Sequence, residues 1–283
     1  MNRSGQQLRV IEVQQASRVA AVQTADGPRA ILEAGLLDAL ASAGASADLL
    51  QIPGPDGPTD PVGEAFATAR HVAVAVREAV AAGRRVLVLS GPCHTAIGSA
   101  CGLREEGRRG VIWLDTHPDF NTPDTTESGL LDGMALATLT GRCWTRLTES
   151  VPGFLPVRDE DVLLVGVREL DRGEESLLAG AAVRRLSVSE VREGRLHSLE
   201  SLAERVDSVY LHLDLDVLDT SEGVANSYAM SGGLTIVDLE GFLRAVSPLV
   251  EVEVMGLTAY DPSCDADRHI AGAAIRAATA MLG

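Results

Sequence analysis

Aromatic residues are scarce in this sequence, at 3% of 283 residues, although hydrophobic residues make up 46%. The core must therefore be built from Ala, Val, Leu and Ile, as expected of helices packed on a buried parallel sheet. No apolar run approaches the roughly 20 residues that a membrane-spanning helix requires. The first residues, MNRSGQQLRVIEVQQ, are too polar for the apolar segment of a secretory signal. We therefore expect a soluble, cytoplasmic protein.

Basic residues are also few, because 24 Lys and Arg stand against 40 Asp and Glu, a formal net charge of -16. This balance argues against the phosphate backbone of nucleic acids and against anionic membranes as partners. A small or cationic ligand suits the chain better.

Paired cysteines are missing as well. The four cysteines, Cys93, Cys101, Cys143 and Cys264, show no CxxC spacing. Reduced thiols of a cytosolic protein are therefore expected rather than a disulfide framework.

Short β-branched or Leu-rich runs alternate with longer Ala-rich amphipathic stretches, which is typical of βα units around a parallel sheet. The predicted strands are Arg9–Val13, Leu49–Ile52, Arg85–Leu89, Val111–Asp115, Val162–Val167, Val183–Leu186, Val209–Asp214 and Val252–Ala259. The clearest predicted helices are Gly63–Ala82, Ala96–Glu106, Leu199–Val206, Ile236–Val246 and Asp265–Met281. We predict a three-layer α/β fold, with a doubly wound, mainly parallel sheet of about eight strands and helices on both faces. One domain over residues 1–283 is expected.

Ligand-type side chains follow three of these strands. Asp115, His117 and Asp119 alternate with other residues directly after an apolar run. They can converge on one point if the chain stays extended, because a strand projects every second residue to the same side. Asp214 and Asp216 follow a second apolar run at the same spacing.

The third strand ends near His94, which offers an imidazole at the same edge of the sheet. Ligands of open parallel sheets bind outside the carboxyl ends of the strands. Four carboxylates held close together repel one another unless cations intervene. Oxygen donors with imidazoles suit a pair of Mn²⁺-like ions better than thiolate-bound zinc, and such a pair can lower the pKa of a shared water towards neutrality.

The DxHxD run, the DxD run and the preceding Gly-x-x-His resemble the arginase, agmatinase and formiminoglutamase family of ureohydrolases. The resemblance extends from about Val86 onward. It implies an oligomer, a trimer or hexamer, that uses two Mn²⁺ ions to hydrolyse a C–N bond in a small guanidine or amidine. The implied metal ligands are His94, Asp115, His117, Asp119, Asp214 and Asp216. Asp119 is also implied to orient the attacking hydroxide.

Two loops resemble the family's substrate-binding loops. In the run Asn121–Gly129, Asn121 and Ser128 match positions that hydrogen-bond a substrate's α-carboxylate. In the run Gly166–Glu174, Glu169 and Asp171 match acids that receive its α-amino group. Their alternative roles are loop-stabilising hydrogen bonds for the first pair and turn or helix-cap contacts for the second.

Four positions depart from the family pattern. Asp132 replaces a proton-shuttling histidine, so it is either an acid or base of the reaction or a structural residue. Leu130 replaces a polar asparagine, and Ala259 replaces the glutamate that grips the guanidinium. Cys93 replaces an acid, and it either contacts the metals or packs as a small buried residue. The remaining histidines match no ligand position and are interpreted as core or surface residues: His71, His197, His212 and His269.

Ala259 cannot pair with a cation, so the substrate is expected to be modified, for example an N-substituted or hydroxylated guanidine. Two other hypotheses remain open. The chain could hydrolyse a formimino or amide group, or it could be a metal-binding homologue without catalysis.

Overall fold

Eight strands form one sheet in a computed structural model that describes residues 7–14, 24–54, 60–104 and 107–283. The strands are β1 (Gln7–Val13), β2 (Ser46–Ile52), β3 (Arg85–Leu89), β4 (Arg109–Leu114), β5 (Val162–Val165), β6 (Arg184–Leu186), β7 (Ser208–Asp214) and β8 (Glu251–Thr258). All neighbouring strands are parallel, in the order β2-β1-β3-β8-β7-β4-β5-β6. The predicted eight-stranded sheet is confirmed.

The helices that connect these strands are α1 (Gly27–Glu33), α2 (Leu36–Ser42), α3 (Pro61–Ala81), α4 (Ala96–Ala100), α5 (Ala135–Leu139), α6 (Thr145–Thr148), α7 (Arg172–Ala179), α8 (Val188–Arg192), α9 (His197–Ala203), α10 (Ile236–Val246) and α11 (His269–Leu282). Local chemistry sets their ends. The Asp60 side chain accepts the Gly63 N–H at 2.8 Å, which caps α3.

Two predicted helices differ from those observed. The helix predicted from Asp265 begins only at His269, because the Asp265 carboxylate accepts the N–H groups of His269 and Ala271 from outside the helix. The helix predicted over Ala96–Glu106 ends at Ala100. Its last two predicted residues, 105 and 106, lie outside the described residues.

Successive residues of each strand face opposite cores. Leu87 and Leu211 contribute to a core formed with α1, α2, α9, α10 and α11. Val88 and Tyr210 contribute to a second core, formed with α3, α4, α5 and α7. Helices therefore cover both faces of the sheet, as predicted. Among the described residues, none of the helices is long and apolar enough to cross a membrane.

The sheet order brings together the loops that carry the predicted ligands. β8 and β7 lie between β3 and β4, although β3 and β4 follow one another in the chain. All four strands run in the same direction, so the loops that follow them leave the same edge of the sheet. This edge is where open parallel sheets bind ligands.

Candidate metal centre

Two overlapping groups of metal-ligand side chains lie at the carboxyl edge of the sheet. Cys93, Asp115, Asp119 and His212 form one group, and Asp115, His117 and Asp216 form the other. Within each group the candidate ligand atoms lie within 4.8 Å of one another. Asp115 belongs to both groups, so a single carboxylate lies between two candidate cation positions.

Asp214 joins the same cluster. Its Oδ2 accepts a hydrogen bond from the Cys93 thiol at 3.0 Å, and its Oδ1 accepts the Asp216 N–H at 2.8 Å. The register of the sheet explains this placement, because Leu114 pairs with Leu213 and the residues that follow leave the sheet together. Five of the six predicted ligands therefore meet here, all except His94.

Asp115 is held in a fixed orientation by its neighbours. Its Oδ2 accepts the indole N–H of Trp113 at 3.1 Å, and its Oδ1 accepts the backbone N–H of His117 at 2.7 Å. The His117 Nδ1 lies 3.4 Å from Asp115 Oδ1 and 3.4 Å from Asp216 Oδ2. Contacts within the protein thus orient the candidate ligands.

Asp119 reaches the cluster through a turn and not through the extended chain that its spacing suggested. β4 ends at Leu114, and Asp119 has a φ of 48°, in the left-handed region. Its carbonyl accepts the N–H groups of Leu136 and Ala137 at 2.9 and 3.1 Å, which ties the turn to the start of α5. These bonds stabilise a backbone conformation that is uncommon for a residue other than glycine.

Burial and like charge disfavour ionised carboxylates in this cluster. Burial, together with the nearby Asp216, raises the pKa of Asp115 to about 6. Burial also raises the pKa of Asp119 and of Asp214. For His117, burial opposes the charged form, but contacts with Asp115 and Asp216 outweigh it and raise the pKa to about 12. Bound cations would remove this repulsion.

Asp119 shows most directly that a cationic group fits. Its Oδ2 is buried and has no hydrogen-bond partner among the residues that the structure describes. A buried carboxylate oxygen without a partner is costly unless a positive group satisfies it. The donors present, mainly carboxylate oxygens with an imidazole, fit divalent cations.

His94 belongs to neither of the two groups. It belongs to a short 3₁₀ turn, Cys93–Thr95, that begins after Pro92. The Cys93 thiol of this turn reaches the cluster, whereas His94 Nδ1 lies 2.6 Å from Asp132 Oδ1. The structure therefore pairs His94 with the predicted acid or base Asp132 and brings Cys93 to the candidate ligands.

His212 lies beneath the cluster, in the core. Its ring stacks on Trp113 with 3.6 Å between ring centroids. Its Nδ1 lies 3.0 Å from the Tyr210 hydroxyl, and its Nε2 lies 3.3 Å from Thr258 Oγ1. Burial lowers the pKa of His212 to about 3, so the imidazole is neutral. This side chain supports Trp113, which in turn orients Asp115.

A cavity of about 300 Å³ opens above the cluster. Among the described residues that line it there is no arginine, and eight acids contribute to its wall: Asp119, Glu127, Asp132, Glu169, Asp171, Glu174, Asp214 and Asp216. The cavity therefore offers a negative field to a small cationic ligand.

All four predicted substrate-binding residues line this cavity: Asn121, Ser128, Glu169 and Asp171. Asn121 is buried, and its Nδ2 donates to Asp171 Oδ2 at 2.9 Å. Ser128 and Glu169 are exposed at the mouth. This hydrogen bond connects the two predicted substrate-binding loops. The roles of all four residues in substrate binding stay predictions.

Glu174 is a cavity residue that the sequence analysis did not single out. It is buried, with one carboxylate oxygen accepting the Phe120 N–H at 2.7 Å and the other accepting the Asp171 N–H at 3.3 Å. The second contact belongs to a capping box at the start of α7. The Asp-x-x-Glu spacing of Asp171 and Glu174 is the sequence signal that identifies it.

The free energy of unfolding should depend less on pH in Glu174→Gln than in wild type. Burial raises the pKa of Glu174 to about 7, although the two N–H groups act in the other direction. A raised pKa in the folded state means that stability is lost as pH rises from about 4.5 to about 7, a change of up to about 3 kcal/mol. The variant cannot ionise, so it should lose less stability over this window.

Urea unfolding of the metal-free proteins at about pH 5 and about pH 8 measures this difference. The other buried acids are present in both proteins, so the difference between the two pH slopes arises from Glu174 and from its interactions with neighbours such as Asp119. Gln leaves one N–H without its acceptor, and the variant should be less stable at low pH by about 1 kcal/mol. Identical pH slopes in the two proteins would contradict the prediction.

Ala259 lines the cavity where the family pattern has a glutamate. Its φ is 62°, in the left-handed region. Its N–H donates to the Gly91 carbonyl at 2.8 Å, and its carbonyl accepts from Asn226 Nδ2 at 2.8 Å. The methyl group leaves this part of the wall without a carboxylate for a guanidinium group.

Arg168 connects three segments around the cavity through backbone carbonyls. Its guanidinium donates to Gly166 after β5 at 3.1 Å and to Asp216 after β7 at 3.0 Å. It also donates to Met230 and Ser231 at 2.8 and 3.1 Å. The planar guanidinium, with five N–H donors, suits this convergence.

Comparison with known proteins agrees with this geometry. The arginase family model matches residues 14–283. An arginase of Bacillus caldovelox is 40% identical over 171 residues, 58% of this chain and 57% of that protein, so the matched sequence spans less than two thirds of the relative.

Solved structures extend the likeness over nearly the whole chain. The structure of the arginase from Bacillus caldovelox has a TM-score of 0.89 at 27% identity and covers 98% of both chains. The formimidoylglutamase from Bacillus subtilis shares the fold, with a TM-score of 0.77 at 18% identity, covering 98% of this chain and 86% of that one. The family model matches nearly the whole chain, and the solved arginase structure shares its fold. This protein therefore belongs to the arginase family.

Proposed function

We propose that this arginase-family hydrolase holds two divalent cations, manganese by preference, and cleaves a C–N bond of a small guanidine or amidine. The observation that carries the proposal is the pair of ligand groups that share the buried Asp115, next to an acidic cavity that Asp119, His117 and Asp216 of these groups line. We further propose that residues 1–283 form one catalytic domain that acts as a cytoplasmic homo-oligomer, a trimer or hexamer.

Different side chains around the cavity would have different roles in such a reaction. Bound divalent cations lower the pKa of water and so provide a nucleophile at neutral pH. The Asp119 carboxylate would accept a hydrogen bond from the attacking water and fix its direction. Asp132 lines the cavity and is held by His94 at 2.6 Å, so it is placed to exchange a proton with the leaving group.

The cavity wall supports a cationic substrate with an amino-acid end. We propose that two of the residues that line the cavity, Glu169 and Asp171, receive an α-amino group, and that two others, Asn121 and Ser128, hydrogen-bond an α-carboxylate. At the reacting end, Ala259 supplies no counter-charge to a guanidinium group. We therefore propose an N-substituted or N-hydroxylated guanidine as the substrate, because Ala259 leaves this part of the wall without the carboxylate that would pair with an unsubstituted guanidinium.

Ala259 also favours a second candidate function, hydrolysis of a formimino or amide group. This reaction would release formamide or ammonia without urea. A third candidate, a metal-binding homologue without catalysis, is motivated by Asp132 and Ala259 together. Its test is to place His at 132 and Glu at 259, and no gain in turnover of any guanidine would favour it.

The deciding experiment adds Mn²⁺ to metal-stripped protein and assays a panel of arginine, N-hydroxyarginine, agmatine and formimino compounds. Release of hydroxyurea or urea supports the first proposal, and release of formamide or ammonia alone supports the second. Absence of every product at full metal loading contradicts both. Light scattering of the same samples measures the oligomeric state.

A further inference from the structure

We infer that Cys93 is a thiolate ligand to one of the two cations, so that one metal position has sulfur among its donors and the other does not. This inference rests on the proposed function, because it concerns the same metal centre. The inference adds Cys93 to the ligands of that centre, and it implies that the two positions differ in their relative affinities for different metals.

The position of the sulfur supports the assignment. Cys93 is 5% exposed and lines the floor of the cavity. Its Sγ lies 3.0 Å from Asp214 Oδ2 and within 4.8 Å of the candidate ligand atoms of Asp115 and Asp119. Three carboxylates around one sulfur are the surroundings of a metal ligand and not those of a cysteine that only fills an apolar core.

Two neighbouring imidazoles make other contacts in this structure. The His94 Nδ1 is directed to Asp132 at 2.6 Å. Both ring nitrogens of His212 contact hydroxyl groups, and its ring is stacked on Trp113.

Asp119 supplies an independent observation at the same point. Its Oδ2 is buried and has no hydrogen-bond partner within the described ranges. It belongs to the same group of ligand atoms as Cys93. A cation held between the Cys93 sulfur and Asp119 would satisfy this oxygen, whereas a neutral thiol alone does not.

The two positions then differ in chemistry. One has Cys93 with Asp115 and Asp119, and the other has His117 with Asp115 and Asp216. On coordination the sulfur gives its proton to solvent and a lone pair to the cation, and no electron is transferred. Thiolate is a softer donor than carboxylate or imidazole, so the affinity for Co²⁺, Zn²⁺ or Cd²⁺ relative to that for Mn²⁺ should be higher at the first position than at the second.

Titration of the metal-stripped full chain with Cd²⁺, and separately with Co²⁺, tests the assignment. Wild type should show thiolate-to-metal charge-transfer absorption in the ultraviolet that saturates at one equivalent. Cys93→Ser should lose this absorption and weaken binding at that position by at least about 10-fold, since even outer partners of metal ligands contribute that much. Cys93→His should restore affinity without restoring the absorption.

Cys264→Ser is the matched control, because Cys264 is the most exposed of the four cysteines and could bind Cd²⁺ adventitiously. This variant should keep the absorption. Metal bound at full stoichiometry without the absorption, or an absorption that survives in Cys93→Ser, overturns the inference and leaves the proposed function standing. Wild type that binds no metal by elemental analysis overturns both.

Discussion

Asp119→Asn is expected to lower the rate constant for hydrolysis by about 10²–10⁴-fold at saturating metal. The variant keeps the size of the side chain but replaces one carboxylate oxygen by an amide group that cannot accept a hydrogen bond. Asp119 Oδ2 is the buried oxygen that lacks a partner among the described residues, so it is the one available to orient the attacking water. The measurement is kcat with the metal content of each sample.

The metal-free Asp119→Asn protein should be more stable than metal-free wild type. Burial and the nearby Asp115 oppose ionisation of Asp119, and the amide removes that cost. Loss of activity with a gain in stability separates a functional role from misfolding. Asp124→Asn, an exposed acid of the same loop, should change neither quantity. Full activity of Asp119→Asn with both metals bound would refute its role.

Ala259→Glu is expected to raise kcat/KM for an unsubstituted guanidine such as arginine by about 10–100-fold, the equivalent of one or two charge-assisted hydrogen bonds. Ala259 already lines the cavity, so the longer side chain would place a carboxylate in its wall. The left-handed backbone at this position is held by Gly91 and Asn226, and both Ala and Glu carry the Cβ that this conformation disfavours.

The matched control for this change is Ala259→Gln, which has the same length without the charge. It should gain much less, because an amide pairs weakly with a guanidinium. Competition between arginine and an N-hydroxylated guanidine measures the change in preference directly. If both variants leave that preference unchanged, the missing carboxylate does not determine the substrate.

The central strands could be predicted from the sequence because a strand buried on both faces requires an apolar run. The edge strands β2 and β6 are only partly buried, so their sequence signal is weaker. The ends of the helices were harder to predict from the sequence. The end of α11 nearest β8 depends on the Asp265 carboxylate, which accepts two N–H groups from outside the helix, a contact that has no periodic signal.

The acids of the candidate site could be predicted as a set because they directly follow neighbouring strands. The side-chain directions of Cys93 and His94 could not be predicted, because strand alternation ends at Leu89 and both residues lie in a 3₁₀ turn. Spacing also suggested an extended chain at Asp119, where the structure has a left-handed turn. Side-chain direction in turns depends on tertiary contacts that one sequence does not show.

The contacts of Arg168 limit how the loops around this cavity can change among relatives. Its guanidinium spans from Asp216 on the floor to Met230 and Ser231 on the rim, and all of these contacts use backbone oxygens. Side chains on the rim can therefore be exchanged without disturbing the floor. An insertion between residues 226 and 231 would displace those oxygens, so new specificities should arise here by substitution at constant loop length.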